Sequence, residues 1–378
     1  MSSHTSCTLH RAALAVSAAA ALLYCASASA EPRFALREGL QCRHCHVNRT
    51  GGGMRTPFGV SFAQTNLATF RLPGLLDRNA GNSFAIGANL RLSNRTLFKT
   101  TTHLAGVERK TKRRNTFEMN EANLYVLARA IPDHLSVYVD ETIGPEAAAN
   151  REAFILVHGL PLDGYVKAGR FMLPFGLRIP DDKAFTRGQT GFNYANSDLG
   201  VEVGIAPYPY ALSLAVSNGS LGGADTNIRK QVSVHGTITG SHARGGVSFA
   251  WNDTSAPDFS FQSLTSSVHL AGRLGRLVVL GELAWIHGIT DPESYDQFAL
   301  LTETTFEVYK GVFPRFRFEA FDPLWSLKNN ERDRFVFGIS WFPIQLLELR
   351  AEYRLNRDIP QRVEGNADAL VVEIHGFL

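Results

Sequence analysis

The stretch Leu346-Leu347-Glu348-Leu349-Arg350-Ala351-Glu352-Tyr353-Arg354-Leu355 governs the reading of most of the chain. In an extended backbone it places Leu347, Leu349, Ala351, Tyr353 and Leu355 on one face and Glu348, Arg350, Glu352 and Arg354 on the other. A period of two marks a strand that is apolar on one side only. Just upstream, Phe335, Phe337, Ile339 and Trp341 alternate with Arg334, Val336, Gly338 and Ser340. The same split recurs at Leu199, Val201, Val203 and Ile205 against Glu202 and Gly204, and at Phe298, Leu300, Phe306 and Val308 against Glu303 and Glu307.

Sixteen such segments can be counted: 82–93, 116–128, 135–143, 151–160, 165–173, 198–206, 210–218, 230–238, 244–253, 262–272, 277–288, 297–309, 313–321, 333–343, 346–357 and 368–378. An even count suits a bacterial outer-membrane barrel. Tight turns at 131–133, 161–164, 273–276 and 343–345 alternate with mostly longer polar loops, the barrel pattern of short periplasmic turns and long external loops. A soluble sandwich or propeller would need a second layer or repeated blades, and no blade repeat is present. Charged faces carrying both signs suit a lumen in which Arg and Glu neutralise one another. The expected fold is therefore an all-β, antiparallel outer-membrane β-barrel of about 16 strands over 82–378, preceded by a small N-terminal α-helical segment. Chain ends on the periplasmic side follow from the even count. In the first long loop, Arg109, Lys110, Lys112, Arg113 and Arg114 read as a solvated cluster near lipid phosphates.

Residues 1–30 read as a signal peptide, with His10 and Arg11, an uncharged run from Ala12 to Leu23, and Ala28-Ser29-Ala30 before Glu31. The apolar run is well short of the ~20 residues of a membrane helix. Removing this leader takes Cys7 and Cys25 with it and leaves Cys42 and Cys45, so a disulfide-rich scaffold is excluded. Over the whole chain, 38 Lys and Arg face 35 Asp and Glu, a balance that gives no argument for nucleic acid as a partner.

Cys42-Arg43-His44-Cys45-His46 is C-x-x-C-H, the attachment signature of c-type haem. Two thiols three residues apart can reach two vinyl groups on one porphyrin edge, and the following His offers an axial nitrogen to iron. A zinc site would need four protein ligands, and no second Cys pair exists. A thioredoxin-type dithiol would sit in an α/β pattern, which does not follow. The expectation is one covalent haem c on Cys42 and Cys45, with His46 on the iron. Met54 is a candidate sixth ligand, although a gap-filling role is the plainer reading; Met119, Met172, His103 and His134 are further candidates. Thr56-Pro57 reads as a helix start, with Phe58, Phe62 and Leu67 leaning on the haem. Residues 31–81 are too few for a core of their own, so this segment is expected to plug the barrel.

A leader, one C-x-x-C-H and a long barrel in a single chain resemble the fused monohaem cytochrome-porins of the bacterial outer membrane associated with iron-oxidising bacteria. The resemblance rests on architecture and on Pro32-Arg33-Phe34-Ala35, Gly39 and Cys42 to His46, while Gly51-Gly52-Gly53-Met54 departs from it. It implies an electron-transfer protein, an Fe(II)-oxidising cytochrome among the options. Such a protein would move single electrons between an extracellular donor or acceptor and a periplasmic c-type cytochrome or other electron carrier, with outer-membrane lipid around the barrel. The alternative is a diffusion porin with a redox-sensing or regulatory haem segment.

Overall fold

Each period-two segment pairs with the next, because a strand with one apolar face gains most by aligning that face with its neighbours. The computed structural model describes residues 31–74, 79–104, 107–144, 147–255, 261–290 and 293–378; the leader expected over 1–30 lies outside them. Sixteen long strands follow one another: β1 Phe84–Leu97, β2 Arg114–Ile131, β3 Leu135–Thr142, β4 Ala149–Leu160, β5 Gly164–Phe171, β6 Asp198–Ile205, β7 Tyr210–Ser217 and β8 Gln231–Thr239. They continue as β9 Ala243–Asp253, β10 Phe261–Leu274, β11 Leu277–Thr290, β12 Glu293–Phe306, β13 Val312–Asp322, β14 Arg332–Trp341, β15 Leu347–Arg357 and β16 Ala369–Phe377. Every neighbouring pair is antiparallel, and β16 returns to β1 from Ala369↔Leu97 to Phe377↔Asn89, which closes the barrel. Closure leaves no sheet edge to aggregate. A two-residue strand at Asn79–Ala80 adds to β1, and a small hairpin, Thr101–Leu104 with Val107–Lys110, stands in the first long loop.

All sixteen expected strands are present in order, and the differences lie at their ends. The segment expected at 297–309 is β12, which begins four residues earlier because Glu293 to Tyr295 pair with β11 despite their polarity. Likewise β2 reaches back to Arg114, opposite Leu97. At strand tips backbone pairing outruns side-chain alternation.

The two faces of the wall differ as the alternation requires. Leu370, Val372 and Ile374 of β16 are exposed outward, as are Val203, Phe249, Leu283, Phe337 and Ile339. An apolar surface of this extent suits hydrocarbon rather than water. No helix among the described residues is long and apolar enough to cross a membrane. Inside, Glu348, Arg350 and Glu352 are buried. Arg350 meets Glu348 at 2.8 Å and Glu373 at 3.6 Å, Arg354 meets Glu352 at 2.7 Å, and Arg315 pairs with Glu352 from β13. Charges removed from water persist only with such partners.

One expectation is corrected. The connection from Met172 to Ser197 is not an external loop, because it turns back into the lumen. Its backbone N–H groups at Gly176, Leu177 and Phe185 donate to Ser248 Oγ, Glu282 Oε1 and Glu319 Oε2 at 2.9, 3.2 and 3.0 Å. Asp181 lies between Arg317 and Arg354 at 3.1 and 3.0 Å. Inward-facing charges on the wall satisfy the loop's amides, while Leu177 and Ile179 pack with Leu280 and Leu301, and Phe185 with Phe321.

Candidate functional site in the lumen

The N-terminal segment enters at the short-turn end. Helix α1, Pro32–Glu38, starts on a proline and stops at Gly39, whose φ of 63° is left-handed. A side chain at Gly39 would lie 3.2 Å from the Ser241 backbone, so glycine also permits contact with the β8–β9 turn. Phe34 inserts between Phe313 and Phe342, with ring centroids 5.4 and 6.3 Å away. Arg37 pairs with Glu307 beside the β12–β13 turn, and Arg43 reaches Asp163 of the β4–β5 turn at 2.9 Å.

A single turn, α2 Cys42–Cys45, then presents the motif, and the His46 N–H donates to the Cys42 carbonyl at 3.0 Å. Residues 46 to 55 form a loop closed by the His46–Arg55 bridge and by the Val47 N–H donating to the Met54 carbonyl at 2.9 Å. Its tip, Gly51-Gly52-Gly53, has φ of 101°, 84° and 61°, three successive left-handed residues. A side chain at Gly52 would fall 2.6 Å from Tyr194 Oη. Asn48 anchors the loop to the wall: its amide donates to Glu152 at 2.7 Å, and its carbonyl accepts from Lys167 at 3.0 Å. Beyond the loop, Thr56 caps α3, Pro57–Phe62, by accepting the Gly59 N–H at 3.1 Å.

Cys42, Cys45 and His46 all line one cavity of about 1230 Å³ of empty space, partly open to solvent, between this segment, the inward loop and the wall. Both thiols are free. Burial, with Cys42 adding to it, pushes the Cys45 thiol up to about 12, far from the low-pKa nucleophile of a redox dithiol. Cys42 Sγ accepts from Arg244 at 3.5 Å. Burial and then Arg55 bring the His46 imidazole down to about 3, so its ring is neutral, and among the described residues its buried Nδ1 has no partner in good hydrogen-bond geometry.

The residues present fit a c-type haem. Two thiols and an imidazole share the cavity with apolar Phe34, Leu67, Phe342 and Phe377, as a macrocycle requires. Arg55 and Arg178 also line it, and among the described residues neither has a carboxylate at ion-pair distance, leaving cations for acidic substituents. Arg55 lies 4.3 Å over the Phe377 ring, with its Nε buried and unpartnered.

Other expected contributors are placed elsewhere. Met54 is fully buried but packs with Val47, Tyr138 and Phe154 and does not line the cavity. Its N–H donates to Tyr138 Oη at 3.0 Å, which turns that residue toward the wall. Phe58 is half exposed and Phe62 packs away from the cavity, so of the three aromatic or aliphatic contacts expected only Leu67 reaches it. Met119 is exposed, Met172 accepts from Arg187 at 3.7 Å, His103 stands in the long-loop hairpin and His134 bonds within its turn; none lines the cavity. Two histidines passed over in the sequence, His235 and His375, do line it. Strand parity would have turned both inward, but nothing local indicates that they meet the motif.

No family model matches the chain, and no curated protein does. Among solved structures, the barrel is similar to an anion-selective porin from Comamonas acidovorans (TM-score 0.59, 9% identity, covering 78% of this chain and 99% of that one). It is also similar to OmpT, an outer membrane protein of Vibrio cholerae (0.59, 11%, 80% and 100%). A third likeness is to the outer membrane channel DcaP of Acinetobacter baumannii (0.58, 10%, 82% and 100%). At these identities the likeness is one of fold, a 16-strand porin-like barrel.

Proposed function

We propose that this chain is an outer-membrane electron carrier, a porin-like barrel whose lumen holds one haem c on Cys42 and Cys45 with His46 on the iron. It would exchange single electrons between an extracellular donor or acceptor, Fe(II) among them, and a periplasmic c-type cytochrome or other carrier. The observation that carries this reading is the convergence of all three motif side chains on one lumenal cavity. When bound, the haem supplies a one-electron couple inside an apolar band of ~25 Å that otherwise insulates. The protein's part is placement. Gly51 to Gly53 let the His46 loop lie flush against Tyr194 and Tyr138, and Phe34 wedges the segment in the barrel mouth. Arg43 and half-buried His44 bring the motif to the short-turn rim, where a periplasmic partner could approach.

The test is a peroxidase-type haem stain on outer-membrane fractions. Wild type should stain at the barrel's mass; Cys42→Ala with Cys45→Ala should lose the stain while the barrel still assembles. An unstained wild-type band rejects the proposal.

A second reading is a diffusion porin whose N-terminal segment senses redox state or regulates flow. The fold likeness to porins and a channel favours it. Planar-bilayer conductance separates the two: a filled lumen conducts ions poorly, and an open porin conducts well.

A further inference from the structure

We propose that His235, reaching from the barrel wall, would be the second protein ligand to the haem iron beside His46; this rests on the haem reading above. His235 sits on β8 with its ring in the cavity that Cys42, Cys45 and His46 line. Its Nδ1 lies 2.8 Å from Ser248 Oγ on β9, and among the described residues no hydrogen bond engages its Nε2. Ser248 Oγ accepts the Gly176 N–H at 2.9 Å and keeps a second lone pair for an Nδ1–H of His235. That tautomer leaves Nε2 as the bare nitrogen, and a hydrogen-bonded second nitrogen is the usual support of a metal-bound imidazole.

The ring is also held in place. His235 lies directly opposite Ser248 in the β8–β9 ladder, and the His269 ring stacks on it at 5.6 Å and 19°. Arg244, four residues before Ser248 on the same inward face of β9, donates to Cys42 Sγ. The same strand face therefore touches both the thiol that would anchor the macrocycle and the imidazole proposed to complete it.

The competing side chains are otherwise engaged. His375 lines the cavity, but its Nδ1 meets Glu348 at 2.9 Å and its Nε2 meets Asn89 at 2.6 Å. Met54 points into the wall cluster, and His44 Nδ1 meets the Gln41 carbonyl at 3.1 Å.

The experiment is optical and electron paramagnetic spectroscopy of the full chain, matured with haem and purified from outer membranes. Wild type should be low-spin and six-coordinate when oxidised and when reduced. His235→Ala should become high-spin, bind carbon monoxide when reduced, and return to low spin on addition of imidazole. His375→Ala should keep the wild-type spectrum. Should His235→Ala fail to assemble, His235→Met decides the matter, because it should stay low-spin but acquire a thioether-ligand spectrum. A wild-type spectrum in either His235 variant, or a high-spin wild type, overturns the ligand assignment while leaving the haem reading intact. Absence of any haem band overturns both.

Discussion

The N-terminal segment and the loop Met172 to Ser197 fill one lumen from opposite ends, and the balance of forces that holds them differs. At the short-turn rim the segment is held by apolar and backbone contacts, joined by the Arg37–Glu307 and Arg43–Asp163 ion pairs. Phe34 sits among Phe313, Phe342 and Phe377, while the N–H groups of Thr69 and Phe70 donate to Phe342 and Pro343 carbonyls at 2.8 and 2.9 Å. The loop adds a buried charge clamp to its packing. Asp181 meets two arginines, Glu282 and Glu319 accept its amides, and Arg334 donates to the Lys183 carbonyl at 3.0 Å. The loop packs as well: Phe175 stacks on Phe192 at 4.1 Å, Leu177 and Ile179 cluster with Leu280 and Leu301, and Phe185 clusters with Phe321. An aromatic wedge works in any salt and at any pH, whereas a charge clamp depends on ionisation.

Phe34→Ala should have the largest effect on this contrast. Removing a buried phenyl ring costs about 3–5 kcal/mol, so the segment should loosen, read as faster proteolysis between residues 31 and 70 and raised bilayer conductance, with the inward loop unaffected. Equal loosening of both would mean that the two are one cooperative unit.

Asp181→Asn comes next, at about 3 kcal/mol against loop docking, the lower end for breaking a buried pair because Arg317 and Arg354 retain Glu303 and Glu352. Proteolysis within 172–197 should rise while the segment stays protected. Acid should mimic this change. Burial pushes the Asp181 carboxyl up, but Arg354 and Arg317, aided by Arg334 and Arg315, pull it further down, below its ordinary 3.8. A carboxyl depressed in the folded protein adds stability above its unfolded value and loses it as pH falls through the folded one. Loop docking should therefore hold at neutral pH and weaken progressively below about pH 3.8, whereas the Phe34 wedge carries no titrating group. Hydrogen exchange of the Leu177 and Phe185 amides at descending pH would measure it. The smallest effect belongs to Thr56→Ala, which removes one cap and should cost about 1 kcal/mol, seen as faster amide exchange in α3 alone.

The two regions were unequally legible. Cys42, Cys45 and His46 carry a signature readable in five residues, and the Thr56-Pro57 start of α3 is a local capping preference. Nothing between Met172 and Ser197 marks it as inward-turning. Its docking depends on Glu282, Glu319, Arg317 and Arg354, which lie far along the chain and face inward only because of their strand parity. Met54, a candidate ligand beside its plainer gap-filling reading, shows the same dependence: its distance from His46 in sequence is short, but Tyr138 on β3 turns it toward the wall.

By itself the sequence determined the alternation of faces, the sixteen strands and their order, and the spacing of Cys42, Cys45 and His46, since each is a property of neighbouring residues on a backbone with fixed periods. Only the tertiary structure decided that the third long loop folds inward, that Gly51 to Gly53 lie against Tyr194 and Tyr138, and that His235 shares a cavity with Cys42. Those proximities arise when β16 closes onto β1, because closure places residues from distant strands across a common lumen, where packing and charge compensation select the contacts.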